Sequence, residues 1–450
     1  MKLKRSSFII EIILILITAL VFVSSNLYQG EFLDGLTYAT ISRNLAFHQG
    51  SAFHLFYNNF LYAHFYEHPP LFFWVESLFF KLFGDIYFLE KAIGLLFFIC
   101  SSYLIKKIVY IKYQVHLSLF FIAVLSMLFF PYIWIFKNNM LESLLIPIVL
   151  LAYRVILQKD YSVIIRSILF ALLFILAFLT KGPFCFFMLA MFFIESIQLP
   201  TINWKEILLF YLVLGICISI SILLIINYEP LDTYLKSYFQ IQLLKSLKGE
   251  REVSSRWIYI NQLILVLLPL LILIIWKKIK KHNIDFSRYT TSISLVLLYS
   301  MSILVSPKQQ PYYIVAIIPF IIIIIGDWMG LIYRHLEEIS QRYSRYMIYS
   351  IFLAITVNIF LAYYTLTNYK SNIKKYIQVS DVLHKKSSLN FNISDELSAN
   401  WYLIAVLSRY NNEQIQTNST YQLRIKHVDT SLNSSDIILN DTYYLYYKQP

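Results

Sequence analysis

Charge is scarce in this chain. Of its 450 residues, 14% are Asp, Glu, Lys or Arg, where a soluble domain carries about a quarter. A water-soluble enzyme or binding module of this length is thereby excluded. Cysteine is scarcer still. Cys100, Cys185 and Cys217 lie in or beside apolar blocks without metal-ligand spacing. They read as small packing residues, and no disulfide framework organises the fold. No repeat of solenoid type is present. Acids are nearly missing from the apolar blocks, although an ion-coupled transporter would place acids near the bilayer midplane.

What the chain has instead is length of apolar sequence. Hydrophobic residues make up 58% of it, in blocks of about 16 to 22 residues, each long enough to cross a hydrocarbon core. The pattern predicts an all-α polytopic membrane protein of about eleven transmembrane helices. The spans are Ser7–Ser25, Ile86–Ile108, Leu117–Phe136, Met140–Leu157, Ile164–Thr180, Pro183–Ile197, Glu206–Ile226, Trp257–Trp276, Thr290–Val305, Pro311–Tyr333 and Tyr346–Thr367. The first block follows basic residues but lacks a small-x-small cleavage site before Asn26, so it reads as an uncleaved helix.

The net charge of +12 is topological. Lys2, Lys4 and Arg5 precede the first span. Lys106, Lys107 and Lys112, then Arg154, Lys159 and Arg166, then Lys277 to Arg288, then Arg334 to Arg345 follow even-numbered spans. With a cytoplasmic N-terminus all of these face the cytoplasm, as the positive-inside rule requires, and the C-terminus is periplasmic. No nucleic-acid patch is left over; the partner implied is a lipid bilayer.

Residues 26–85 form a first outer loop with two stretches, from Asp34 and from Leu71 to Phe83, too polar or too short to cross. They read as interfacial helices, with Glu67 and His68 held at the bend before Pro69-Pro70. From about Asn368 the composition turns to Asn, Ser, Lys and Tyr, and residues 368–450 read as a small α/β extracytoplasmic domain. Tyr421–Ile425 and Thr442–Tyr447 alternate like strands. Its four Asn-x-Ser/Thr sequons, at Asn392, Asn418, Asn433 and Asn440, are expected by chance in so Asn-rich a segment. Residues 1–367 form the membrane domain.

The conspicuous polar residues all fall on the outer side in this topology. They are Asp34, Tyr38, Glu67, His68, the run Lys137-Asn138-Asn139 with Glu142, Lys181, and Lys308 with Tyr312 and Tyr313. Ionisable groups at a bilayer are costly unless paired or wetted, which makes them functional candidates. Each has a plainer reading too. Asp34 fits a helix cap, Glu142 a helix-start acid, Lys181 and Lys308 snorkelling lysines, and the tyrosines an aromatic belt.

The set Asp34…Tyr38, Glu67-His68-Pro69-Pro70-Leu71, Met140-Leu141-Glu142-Ser143, Leu179-Thr180-Lys181-Gly182-Pro183 and Lys308…Pro311-Tyr312-Tyr313…Pro319 resembles the type C (GT-C) integral-membrane glycosyltransferases. It is most similar to the group of lipid A aminoarabinose transferases and protein O-mannosyltransferases. The resemblance implies transfer of a sugar, with inversion, from a polyprenyl-phosphate donor to lipid A or another glycan or protein acceptor on the outer face of a bacterial inner membrane. By the same resemblance Asp34 and Glu142 are the catalytic acids, and His68, Lys181 and Lys308 bind the donor phosphate. Tyr38, Glu67 and Tyr312 contact substrate, and Glu67 is the candidate ligand for a divalent cation. Gly35 and Thr37 replace an acid and an Arg frequent in aminoarabinose transferases, which moves the expected sugar away from aminoarabinose. The competing readings are a membrane transporter or lipid flippase of the envelope, and a non-catalytic assembly protein that binds through its tail.

Chemistry constrains the roles independently. A breaking sugar–phosphate bond loads negative charge on the phosphate, and fixed cations aimed there lower the barrier. A hydroxyl acceptor needs a carboxylate to take its proton, which suits Asp34. A phosphate acceptor needs none, and Asp34 would then orient it or offset positive charge at the sugar carbon.

Overall fold

The computed structural model describes residues 32–86, 88–198, 203–245, 257–279, 284–306, 309–342, 372–386, 389–411, 414–416, 418–426 and 435–447. The first and eleventh expected spans, Lys308 and the sequon Asn433 lie outside these residues. The chain is overwhelmingly helical, and two hydrophobic cores organise it. The larger gathers the apolar helices, and the smaller gathers residues 376–445 together with Leu36 from the first outer loop.

Helix α1 (Leu33–Ala46) and helix α2 (Leu71–Phe83) occupy the first loop and pack on one another, at the positions the sequence predicts. Between them lie a two-stranded ribbon, β1 (Gly50–Ser51) with β2 (His54–Leu55), and an irregular stretch that ends at Pro70, the residue before α2. Proline suits that boundary because it needs no backbone donor. Helix α1 is not a one-faced surface helix. Ile41 joins the main core, whereas Leu33 and Leu36 join the smaller core. It is therefore enclosed on both sides.

The spans follow as α3 (Leu89–Tyr113), α4 (Leu119–Met127), α5 (Phe130–Lys137), α6 (Glu142–Leu157), α7 (Val163–Lys181), α8 (Met191–Gln198) and α9 (Trp204–Asn227). Then come α10 (Glu229–Tyr238), α11 (Trp257–Ile279), α12 (Thr290–Val305) and α13 (Ile318–Arg342). Side-chain caps set several starts: Ser118, Ser162 and Asn203 accept the amides of Phe121, Ile165 and Glu206, filling donors that a helix start leaves open. Among the described residues six helices are long and apolar enough to cross a membrane, or seven if a bent pair counts as one span.

One expected span differs in form, and one expected pair is found. The third is not one straight helix: α4 and α5 meet at 101°, with Pro131 in the first turn of α5, where it starts a helix but cannot continue one. The fifth and sixth are indeed a pair. The stretch Val163–Gln198 is helical throughout, yet Phe186 stacks on Phe174 and Phe178, and Arg166 lies over Phe192. The chain therefore doubles back at Gly182, through a 3-10 segment Gly182–Ala190. Gly182 has φ +64° and ψ −140°, a region only glycine enters easily.

Helix α6 is short. Its sixteen residues span about 24 Å, less than a hydrocarbon core of about 30 Å. Its far end is tied by a buried pair: Lys112 donates to Glu195 at 2.7 Å and to Tyr153 at 2.9 Å.

Gly94 of α3 lets the end of α5 come close. A Cβ there would stand 1.9 Å from the Phe136 carbonyl oxygen, and backbone cannot swing away as a side chain can. Gly94→Ala is expected to cost about 1–3 kcal/mol, read as a lower unfolding midpoint in detergent. Gly215→Ala, inside α9 where nothing lies within 4 Å, should leave the midpoint unchanged or raise it slightly, because alanine favours a helix more than glycine does.

The tail carries α14 (Asn372–Lys385), β3 (Phe391–Ile393), α15 (Trp401–Asn411), β4 (Tyr421–Ile425), β5 (Ile437–Ile438) and β6 (Tyr443–Tyr447). The strands form one sheet in the order β3-β4-β6-β5, with β3–β4 parallel and the other pairs antiparallel. The two strands expected from alternation are β4 and β6, the central pair. Helix α15 packs against α14 and also against α1. Its Ser408 accepts from Asn58 at 2.7 Å, and its Arg409 bonds Glu90 of α3 at 2.5 Å and Asp85 at 2.8 Å. Asp85 in turn pairs with Arg43 of α1 at 2.5 Å. The tail is thus pinned to the membrane body by ionic and hydrogen-bonded contacts, many of them buried.

Candidate functional site

Where α1, the first loop, the α7 turn and the segment before α13 meet, they enclose a cavity of about 340 Å³. Asp34, Tyr38, Glu67, His68, Lys181 and Tyr312 all line it. Six residues chosen from four separate stretches of sequence therefore front one space. Glu142 does not line it. It lies behind Lys181, 2% exposed, and accepts a hydrogen bond from the Lys181 ammonium. Lys308 is outside the described residues; Ser306, two residues before it, is on the cavity wall.

Asp34 occupies the first turn of α1, where the helix dipole favours a negative side chain. Its Oδ2 accepts from the Tyr312 hydroxyl at 3.5 Å. Helix α1 has no side-chain cap of its own, so neighbours hold its start. The turn between α5 and α6 does this: Asn138 Oδ1 accepts the Phe32 amide at 2.9 Å, and Asn139 Nδ2 donates to the Gly35 carbonyl at 3.3 Å. Asn139 has φ +51°, a left-handed conformation that Asn tolerates better than most side chains. Phe32, Trp134 and Tyr312 pack edge and face around this turn, with Trp134 and Tyr312 stacked at 5.7 Å.

Tyr38 lies one turn along α1 from Asp34 and is hydrogen-bonded to His68 Nε2 at 2.9 Å. Burial, reinforced by Asp34 and other neighbouring acids, pushes the Tyr38 phenol well above its ordinary pKa, so it keeps its proton. His68 is fixed from the other side as well, because Tyr234 donates to its carbonyl at 2.7 Å. Lys181 ends α7 just before the Gly182 turn, with the rings of Tyr313 and Phe184 5.3 and 5.7 Å from its ammonium. A Cβ at Gly182 would meet the Tyr238 hydroxyl at 2.3 Å. Glycine is thus required there twice over, by φ and by space.

Several wall residues were not foreseen. Tyr238 and Gln242 come from α10 and its π-helical extension Phe239–Leu244. The sequence signal was Glu229 to Tyr238, which puts Tyr234 and Tyr238 four apart on one amphipathic face. Tyr57, Tyr62 and Phe65 belong to the irregular part of the first loop, and Trp401 belongs to the tail.

Among the described residues no group of three His, Cys, Asp or Glu side chains is arranged to hold a metal ion. Asp34 and Glu67 are the two carboxylates on the cavity wall among the described residues.

Glu76 of α2 was also unforeseen. It is 1% exposed, and burial outweighs the lowering effect of Ser42 and Asn139 beside it. Burial pushes its pKa up to about 8, so it folds with a proton. Stability from that proton is complete below the ordinary carboxylate pKa, about 4.3, and is lost progressively as pH rises to about 8. Glu76→Gln should unfold like the parent near pH 5 and at a higher temperature than the parent at pH 8.5. Thermal unfolding of the solubilised protein across that range checks it.

No protein-family model matches the sequence, and no curated protein sequence matches it. Solved structures do. The chain is similar to ArnT from Cupriavidus metallidurans bound to undecaprenyl phosphate, with a TM-score of 0.54 and 16% identity over 89% of this chain and 74% of that one. It is similar to the same protein in the apo state at a TM-score of 0.52 and 16% identity, over 91% and 75% of the two chains. The fold is therefore like that of ArnT, with several helices apolar enough to cross a membrane, as the sequence resemblance implied.

Proposed function

We propose that this chain is an inverting glycosyltransferase that takes a sugar from a polyprenyl-phosphate carrier and passes it to lipid A or another envelope acceptor. The observation that carries the reading is the single cavity fronted by Asp34, His68, Lys181 and Tyr312, within a fold shared with ArnT, a lipid A aminoarabinose transferase. One of the similar structures holds undecaprenyl phosphate, which supports a carrier of that kind here.

In this reading the carrier phosphate meets His68 and Lys181, with Lys308 assigned to the same task from its place in the sequence. Charge accumulates on the phosphate as its bond to the sugar's C1 breaks, and fixed donors there lower the barrier. Tyr38 orients His68, and Glu142 holds Lys181 in place. With a hydroxyl acceptor, its oxygen forms the new bond to C1 from the opposite face. The hydroxyl proton passes to Asp34, and the C1–O electron pair leaves with the phosphate. With a phosphate acceptor no proton moves, and Asp34 offsets charge at C1. Tyr312 steadies Asp34, and Glu67 contacts sugar hydroxyls. The site faces the periplasm of an inner membrane, with the N-terminus cytoplasmic and the tail outside.

Mass spectrometry of envelope lipids and glycoproteins from cells with and without the protein tests the proposal. A single hexose, hexosamine or pentosamine should disappear from one class of molecule when the protein is removed. Identical glycan profiles, combined with altered transbilayer movement of a lipid, would favour a flippase instead.

A further inference from the structure

The cavity has one wall that does not come from the membrane domain. Trp401, the first residue of α15, lines it. The side chain is 47% exposed, although a tryptophan in a helix of a small α/β module would ordinarily be buried in that module's own core. The cause lies along the helix. Ser408 is seven residues further on, two turns along the same face, and is fully buried against Asn58 of the first loop. Arg409 beside it is held by Glu90 and Asp85. With its far end anchored in this way, α15 lies along α1, and its leading residue reaches the cavity mouth.

We infer that Trp401 is a substrate-binding residue, a flat apolar ring on which a sugar ring of the acceptor rests. The inference rests on the transferase reading. A carrier's prenyl chain lies in the bilayer and its phosphate belongs among Lys181 and His68, on the membrane domain. Trp401 belongs to the tail, so it meets what arrives from outside. The face of an indole is electron-rich and apolar, which suits the C–H face of a pyranose, and its N–H remains available for a sugar hydroxyl. Leu33 and Tyr62 also line the cavity and add apolar surface to it.

The test uses the full-length protein in vesicles containing a sugar-loaded polyprenyl phosphate. The acceptor probe is envelope lipid extract diluted into phosphatidylethanolamine at graded ratios. Trp401→Ala should raise the acceptor content needed for half-maximal transfer about tenfold. The donor dependence should not move, nor should the thermal stabilisation given by undecaprenyl phosphate. Trp401→Phe should come within about threefold of the parent. Unchanged acceptor dependence in Trp401→Ala overturns the inference. So does loss of carrier stabilisation, or a Phe variant as impaired as the Ala variant, because both mark a structural role. A parent protein that binds carrier but transfers no sugar to any fraction counts against the transferase reading itself.

Discussion

Replacing Asp34 by Asn is expected to lower sugar transfer by about 10²–10⁴-fold while the protein stays folded and still binds carrier. Asn keeps the size of the side chain and can still accept from Tyr312, whose hydroxyl is 3.5 Å from Asp34 Oδ2. What it loses is negative charge and basicity, at the head of a helix that Asn138 and Asn139 clamp in place. The backbone contacts of that clamp do not involve the Asp34 side chain, so the variant should unfold near the parent temperature. Rates from single-turnover transfer, set beside carrier binding, separate chemistry from affinity. Transfer at near-parental rates would remove Asp34 from the reaction and leave it as a helix-start residue.

The largest effect on stability is expected at Arg409. This guanidinium is 1% exposed and faces Glu90, itself 3% exposed, as well as Asp85. Burial alone would push the Asp85 carboxyl up, yet Arg409 and Arg43 together hold it below the ordinary range. Arg409→Met removes the cation and leaves Glu90 buried without compensation, which costs about 3–5 kcal/mol. Arg409→Met with Glu90→Gln should recover much of that loss, because no uncompensated charge then remains. SDS-unfolding titrations of the two single variants and the double variant give the coupling. Equal losses in the single and double variants would mean that packing of the long side chain, rather than its charge, holds the tail.

The membrane architecture was legible because apolar runs report their own length. Span edges for α9, α11 and α12 fall within a few residues of the sequence reading. The break in the third span was not, although Pro131 marks it, because a proline in the first turn of a helix and one at a kink look alike in sequence. The site was legible wherever a charged residue stood out against an apolar background, as Asp34, His68 and Lys181 do. Glu142 stood out equally, but sequence position cannot distinguish a carboxylate that faces a cavity from one that pairs with the lysine behind its wall. Tyr57, Tyr238 and Trp401 remained hidden for the opposite reason. In a chain with 36 tyrosines and seven tryptophans, an aromatic side chain carries no signal until the fold brings it to a surface.

The bond between Asn58 and Ser408 joins residues 350 positions apart. Contacts this distant along a chain form late, because closing the intervening loop has to come first. The wall of the cavity that includes Trp401 therefore closes only once residues far apart along the chain have met, which makes the enclosed space a late product of folding.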